Sequence, residues 1–205
     1  MEKMALLMLD FLNEIVHPNG VYAKQGYYQQ VQQGKVTEHA AQALSAARAR
    51  HMPVVHVVVG FSANYIECPH GSEVFDTARN NQLLRFDSWS TEIIDALAPL
   101  PQENIIRKHR VDPFYQTNLE LTLRSMQVDT LVLAGVSTEF VVLATAMSAH
   151  DRGFHVIVLE DAVAAVSDKK HRAALEILSS TAQLQKTQQV FGAVTNPAKS
   201  AEAIV

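Results

Sequence analysis

The chain has 205 residues, 48% of them hydrophobic and 19% charged, which is enough apolar material for one globular domain over 1–205 with an ample core. Its formal net charge of -4, with acids and bases mixed along the chain, excludes the basic footprint of a nucleic-acid binder and the polybasic patch of a membrane-surface protein, leaving a small molecule as the expected partner. The lone cysteine, Cys68, excludes an intramolecular disulfide framework and fits a reducing, cytoplasmic setting.

The first apolar run, 4–10, reads as a buried strand. Asp10 interrupts it and no small-residue cleavage site follows, so it is not a signal segment, and no stretch reaches the roughly 20 apolar residues of a membrane span. Next, 37–51 places Ala40, Ala43, Leu44 and Ala47 on one helical face, and 53–59 is a second strand with His56, a satisfied core histidine, inside it. The stretch 61–103 breaks the rhythm with Pro69, Gly71, Asn80-Asn81 and Pro99, and reads as an irregular insertion around a short helix near 91–98. Ordered insertions of that length are often binding loops. A third strand is expected at 104–108. Thr117-Asn118-Leu119-Glu120 then has the spacing of a capping box ahead of Leu119, Leu123 and Met126. A fourth strand at 129–135 leads into a helix at 138–151, which Gly153 stops in a left-handed turn. Strands at 154–160 and 187–191 flank a helix at 167–180 carrying Ala174, Ile177, Leu178 and Thr181, and the charged run Asp168 to Arg172 is its solvated start. Short apolar runs alternating with helices predict an α/β fold, a parallel sheet covered on both faces.

Such a sheet binds ligands beyond the carboxyl ends of its strands. Asp10 closes the first strand, Lys108 the third, and Gly135 the fourth, leading into Ser137 and Thr138. A carboxylate, an ammonium and a helix N-terminus thus meet at one edge, where backbone N–H groups can hold a developing anion. This is hydrolase-like geometry. Gly135-Val136-Ser137 also begins like a nucleophile elbow, with Asp161 and His171 following in triad order, but Glu139 stands where the elbow needs a second small residue. Glu67, Cys68 and His70 are three ligand types without a partner pair elsewhere, so no metal is expected. No Gly-rich phosphate loop is present, so no cofactor is expected either.

Nearly the whole chain, from ALLMLDFLNE through VVHVVVGFSANY to IIRKHRVDPFYQTNLELTLRSMQVDTLVLAGVSTEFVVLATAMSAHDRGFHVIVLEDAVAA, resembles the isochorismatase-like, or cysteine hydrolase, superfamily. The resemblance implies a Rossmann-like, three-layer α/β/α fold with a six-stranded, mostly parallel sheet, assembled as a homodimer or homotetramer. It also implies that Asp10 and Lys108 take the places of the family's catalytic aspartate and lysine. The Val136-Ser137 bond falls on a non-proline cis peptide, and the amides of Ser137 and Val141 on the oxyanion donors. Phe61, Trp89, Phe114, Tyr115, Glu139 and Phe140 are the expected substrate-binding residues.

The family pattern G-V-x-T-N-x-C-V-x-x-T appears here as Gly135-Val136-Ser137-Thr138-Glu139-Phe140-Val141-Val142-Leu143-Ala144-Thr145, with Val141 on the nucleophile's position. A valine side chain has no lone pair and no ionisable proton, so thiol amidase activity is not expected. Within the same resemblance, true isochorismatases also lack the thiol and cleave a vinyl ether, with the aspartate donating a proton. Asp10 could do this only if burial raised its pKa more than Lys108 lowered it. Two readings follow: a cysteine-independent hydrolase of a small metabolite, and a catalytically silent relative that binds a ligand or serves as a scaffold.

Overall fold

The computed structural model describes residues 3–192; residues 1–2 and 193–205 of the expected domain lie outside them. Six parallel strands form one sheet: β1 (Met4–Leu9), β2 (Val54–Val59), β3 (Asn104–Lys108), β4 (Thr130–Val136), β5 (His155–Ala164) and β6 (Gln183–Gln185). Their order is β3-β2-β1-β4-β5-β6, so the direction of winding reverses between β1 and β4. The crevice for a ligand opens at that reversal.

The central strands are continuous apolar runs because both faces are covered. Leu7 and Leu9 of β1, with Leu131 and Leu133 of β4, pack under α5 (Leu119–Ser125), α6 (Leu143–Asp151) and α7 (Asp168–Leu178). Leu6 and Met8, with Val132 and Ala134, face α2 (Tyr27–Gln33), α3 (Val36–Ala49) and α8 (Thr187–Phe191). A third apolar cluster, around Phe61, Tyr65, Phe75 and Leu84, lies beneath the insertion.

Several expected elements are corrected. Residues 187–191 are not a strand but α8, one helical turn that buries Thr187 and Phe191 at i, i+4, and the sixth strand is the three-residue edge at 183–185. The insertion's helix is α4 (Glu73–Asn80), not 91–98, which holds only the 3-10 turn Asp95–Leu97 after another at Trp89–Thr91. The segment after β1, for which the sequence suggested no element, contains α1 (Asn13–Val16), the 3-10 turn Ala23–Gln25 and α2. Thr117 does not complete a capping box: its hydroxyl accepts from the adjacent-turn amide of Leu119 at 3.1 Å, while Glu120 pairs with Arg152 at 3.1 Å. Gly153 does stop α6 in a left-handed conformation, with φ of 76°.

One buried polar cluster ties α3 to the sheet. His56 of β2 meets Glu103 at 2.9 Å, and Glu103 also takes two hydrogen bonds from Arg48, both 2.8 Å, and the Leu100 amide at 2.9 Å. Burial acts to raise the Glu103 pKa, but the hydrogen bonds from Arg48, Leu100 and His56 overcome it and hold the carboxyl at about 2, while burial pushes His56 down. Both shifts have the same sign for stability. A depressed carboxylate stabilises the fold above its unfolded pKa and loses that contribution as pH falls toward 2, and a depressed histidine must take up a proton when the chain unfolds. We therefore expect chemical-denaturation stability to decline progressively as pH drops below the ordinary histidine range, and the part of the decline below the ordinary carboxylate range to be shallower in Glu103→Gln. Equal slopes in the two proteins would show that the cluster does not carry the acid sensitivity.

Candidate active site

β1 ends where Asp10 turns left-handed, with φ of 53°, a conformation an aspartate tolerates better than bulkier residues do. The turn directs the carboxylate sideways across the sheet edge. Its Oδ1 accepts from the Val59 amide at 2.9 Å, and its Oδ2 accepts from Lys108 Nζ at 2.8 Å. Lys108 also donates to the Arg110 carbonyl at 3.0 Å. Both side chains are nearly fully buried, 3% exposed for Asp10 and 1% for Lys108. Two opposing influences act on Asp10: burial raises its pKa, and the charge and hydrogen bond of Lys108, with the Val59 amide, lower it. Burial wins, so the carboxyl lies above the ordinary 3.8.

On the other side of the crevice, β4 can pass this close to β1 only because residue 135 is glycine. A Cβ there would lie 2.5 Å from the Leu9 Cβ and 2.6 Å from its carbonyl oxygen. The Val136-Ser137 peptide is cis, and the chain then enters a π-helical turn, Thr138–Val142, closed by the Val142 amide donating to the Ser137 carbonyl at 3.1 Å. The turn runs directly into α6. Among the described residues no backbone or side-chain group accepts from the Ser137 amide.

These pieces surround a cavity of about 390 Å³. Asp10, Lys108, Val136, Ser137, Phe140 and Val141 all line it. Val141 is 2% exposed and offers a methyl-bearing wall where a nucleophile would stand.

Five other expected ligand-binding residues do not line the cavity. Phe61 is fully buried behind it, edge-on to Phe75 at 5.4 Å between ring centroids. Phe114 is core, packed on Phe154 with the Arg152 guanidinium 4.8 Å above it. Tyr115 and Trp89 are exposed on the surface, Trp89 edge-on to His17 at 5.3 Å. Glu139 stands just behind the wall, its Oε1 accepting from the Val166 amide at 3.0 Å and from the Tyr27 hydroxyl at 3.4 Å.

In their place the walls come from two segments: the stretch after β1, where no element was expected, and the 61–103 insertion, read as a binding loop without named lining residues from α4. Tyr22, Gln25 and Tyr27 arrive from the turn and start of α2, and Glu73, Val74, Phe75, Thr77 and Leu84 from α4 and the loop after it. The first segment is held by Glu14, a buried carboxylate that accepts from the amides of Val21 and Tyr22 at 2.5 and 3.3 Å. Lys170, in the first turn of α7, completes the rim.

The serine-triad alternative is not assembled. His171 Nδ1 meets Thr138 Oγ1 at 3.0 Å instead of Ser137, and Asp161 accepts from the amide and hydroxyl of Thr187 at 2.9 and 2.8 Å. Cys68 is buried within the insertion, where burial pushes its thiol up, and no group of three metal-ligand side chains occurs among the described residues. Among them, too, no helix is long and apolar enough to cross a membrane.

Known proteins match this arrangement. The isochorismatase domain matches residues 4–189. The chain is 34% identical over 183 residues to the ureidoacrylate amidohydrolase RutB of Methylobacterium radiotolerans, covering 83% of this chain and 70% of that protein. It is 31% identical over 161 residues to the uncharacterized isochorismatase family protein YecD of Escherichia coli O157:H7, covering 78% and 84% of the two chains. Among solved structures, an isochorismatase family protein from Desulfovibrio vulgaris aligns with a TM-score of 0.82 at 22% identity, over 93% of this chain and 97% of that one. The N-carbamoylsarcosine amidase from Thermoplasma acidophilum aligns with a TM-score of 0.71 at 25% identity, over 91% and 97%.

Proposed function

The chain belongs to the isochorismatase family, and from that premise we propose that it is a cysteine-independent hydrolase in which Asp10 donates a proton to a small, carboxylate-bearing enol ether. The observation that carries this reading is the Asp10 carboxyl itself: buried at the cavity, held by Lys108 at 2.8 Å, and with its pKa raised by burial in spite of that lysine. A carboxyl so placed retains its proton to higher pH than a solvated one, as a general acid requires. In the reaction, the Asp10 proton moves to the terminal carbon of the double bond and the π electrons form the new C–H bond, leaving an oxocarbenium carbon. Lys108 stabilises the carboxylate left behind. Water adds to that carbon, returns a proton to Asp10, and the hemiketal collapses to a ketone and an alcohol. No covalent enzyme intermediate is needed, which agrees with valine at position 141. The ureidoacrylate amidohydrolase relatives suggest an amide or ureido substrate as well, but a thiol route to it has no nucleophile here.

Turnover tests the reading. A panel of enol ethers, amides and ureido acids should yield at least one hydrolysed enol ether, at a rate unchanged by iodoacetamide, because Cys68 is buried away from the cavity. Sensitivity to alkylation would contradict it. The second reading, a ligand-binding protein without turnover, is favoured by Val141 packing as core, and absence of any hydrolysis with measurable ligand binding would establish it.

Val141→Cys examines the same wall from the opposite direction. The sulfur would face the cavity with Asp10 and Lys108, at a cost of about 1 kcal/mol for the lost methyl group. We expect this variant to gain amide or ureido hydrolysis that iodoacetamide abolishes, and a folded variant that gains none would mean that the surrounding groups no longer form a thiol-hydrolase site.

A further inference from the structure

Tyr22 and Tyr27 are the two phenols lining the cavity, and each has a single proton to donate. Tyr22 gives its proton to the Val74 carbonyl at 3.0 Å. Tyr27 gives its proton to Glu139 Oε1 at 3.4 Å, a long bond, but to an oxygen that already accepts the Val166 amide and so acts as an acceptor. The other oxygen, Oε2, is buried without a partner among the described residues, so no competing donor draws the carboxylate away from Tyr27. Burial pushes both phenols up, well beyond the ordinary tyrosine value, so neither surrenders its proton at neutral pH. With both protons committed within the protein, each phenolic oxygen can offer a ligand only the lone pair not taken up by the Ala78 amide at Tyr22 or the Ser137 hydroxyl at Tyr27. The rest of the polar lining is mixed: Lys108 and Lys170 supply donors, Asp10 and Glu73 are carboxyls, and Gln25, Thr77 and Ser137 can donate or accept.

We propose that Tyr22 and Tyr27 select the ligand by accepting hydrogen bonds from it, so that the part of the substrate facing these phenols carries N–H or O–H groups, as a ureido or hydroxyl end does. Glu139 is the positioning residue that orients the Tyr27 proton. The inference rests on the reading of this cavity as the substrate site. It makes sense of an acid at 139, which touches no part of the cavity itself but fixes what Tyr27 can recognise. A site whose polar groups are left unpaired rejects the ligand that lacks the matching group much more strongly than one that merely adds bulk.

The test is binding, measured by calorimetry or NMR titration on the full chain, with two matched probe pairs. One is 3-ureidopropionate against its fully N-methylated counterpart, and the other is 3-hydroxypropionate against 3-methoxypropionate; the pairs separate a ureido from a hydroxyl source of the donor. For at least one pair, the wild-type protein should prefer the protic probe by about ten-fold. The preference should fall to within about two-fold in the Tyr22→Phe/Tyr27→Phe protein, since a clash with the added methyl groups would persist there whereas a lost hydrogen bond would not. Glu139→Gln keeps both rings and supplies an amide that can donate to Tyr27, freeing the phenol's proton, so it too should weaken the preference. No preference in the wild type, a preference unchanged in both variants, or no binding of either protic probe at millimolar concentration would overturn the proposal. Selective binding without turnover of any substrate would leave it standing and remove the hydrolase reading; turnover without selectivity would do the reverse.

Discussion

Asp10→Asn is expected to remain folded and to lose catalysis. Removing the proton donor should lower kcat/KM by roughly 10³-fold, within the range that general acid–base groups contribute. The same change leaves the Lys108 ammonium, 1% exposed, without its anion 2.8 Å away. Breaking a buried pair on one side costs about 3 kcal/mol or more, so a measurable fall in stability should accompany the loss of rate. The two effects are separable. Steady-state kinetics under conditions where the variant is fully native report the loss of rate, and circular dichroism and chemical denaturation report the loss of stability. Lys108→Met provides the contrast: it also breaks the pair, and it leaves an uncompensated carboxyl whose pKa should rise further, so activity should survive to higher pH than in the wild type. Retention of full activity in Asp10→Asn would remove the proposed acid from the mechanism.

Gly135→Ala should be the most damaging single-methyl substitution in the sheet. The new Cβ would sit 2.5 Å from the Leu9 Cβ, 2.6 Å from the Leu9 carbonyl oxygen and 3.2 Å from its Cα. These are atoms of the neighbouring central strand, paired in register with residue 135, and two of the three are backbone that cannot rotate aside. Gly60 makes a useful comparison, because its nearest clash, at 2.6 Å, is with the ring of Phe86, a side chain that can swing away. Overpacking against a rigid strand costs about 3 kcal/mol, which in a chain of this size lowers Tm by roughly 10 °C. The strain would fall on the two strands that end in Asp10 and Ser137, so activity should drop as well. A Tm within about 2 °C of wild type would show that β1 and β4 can separate without penalty.

How far the sequence leads depends on how local each signal is. β1, β2 and β4 are buried on both faces, so their continuous apolar runs announce them, and Asp10 and Ser137, which follow β1 and β4, come with them, while Lys108 ends the half-exposed β3. The edge strand Gln-Leu-Gln at 183–185 buries too little to leave an apolar run, and the neighbouring Thr187 and Phe191 pattern was read with the wrong period. The aromatic lining could not be read in this way. Which surface segment folds over a sheet edge is decided by long-range contacts such as Glu14 accepting the Val21 and Tyr22 amides, or Tyr22 reaching Val74 across 52 positions. Phe114 and Phe61 carry the same composition signal as Phe75 and Phe140, yet the first two fill core and the last two face the cavity. Some signal was present: Phe75 and Ala78 stand at i, i+3 on one face of what proved to be α4, and Tyr22 and Tyr27 flank the Gly26 turn. The balance between burial and Lys108 at Asp10 was also beyond sequence, because it depends on how completely the pair is enclosed.

That balance is the centre of the account, and the pH dependence of kcat/KM for the hydrolysed enol ether measures it most directly. If Asp10 acts as the proton donor, the rate must fall as pH rises through a single ionisation lying above 3.8, and this limb must vanish in Asp10→Asn. A rate that instead rises with pH through that ionisation, or a falling limb that persists in the variant, would contradict proton donation by Asp10.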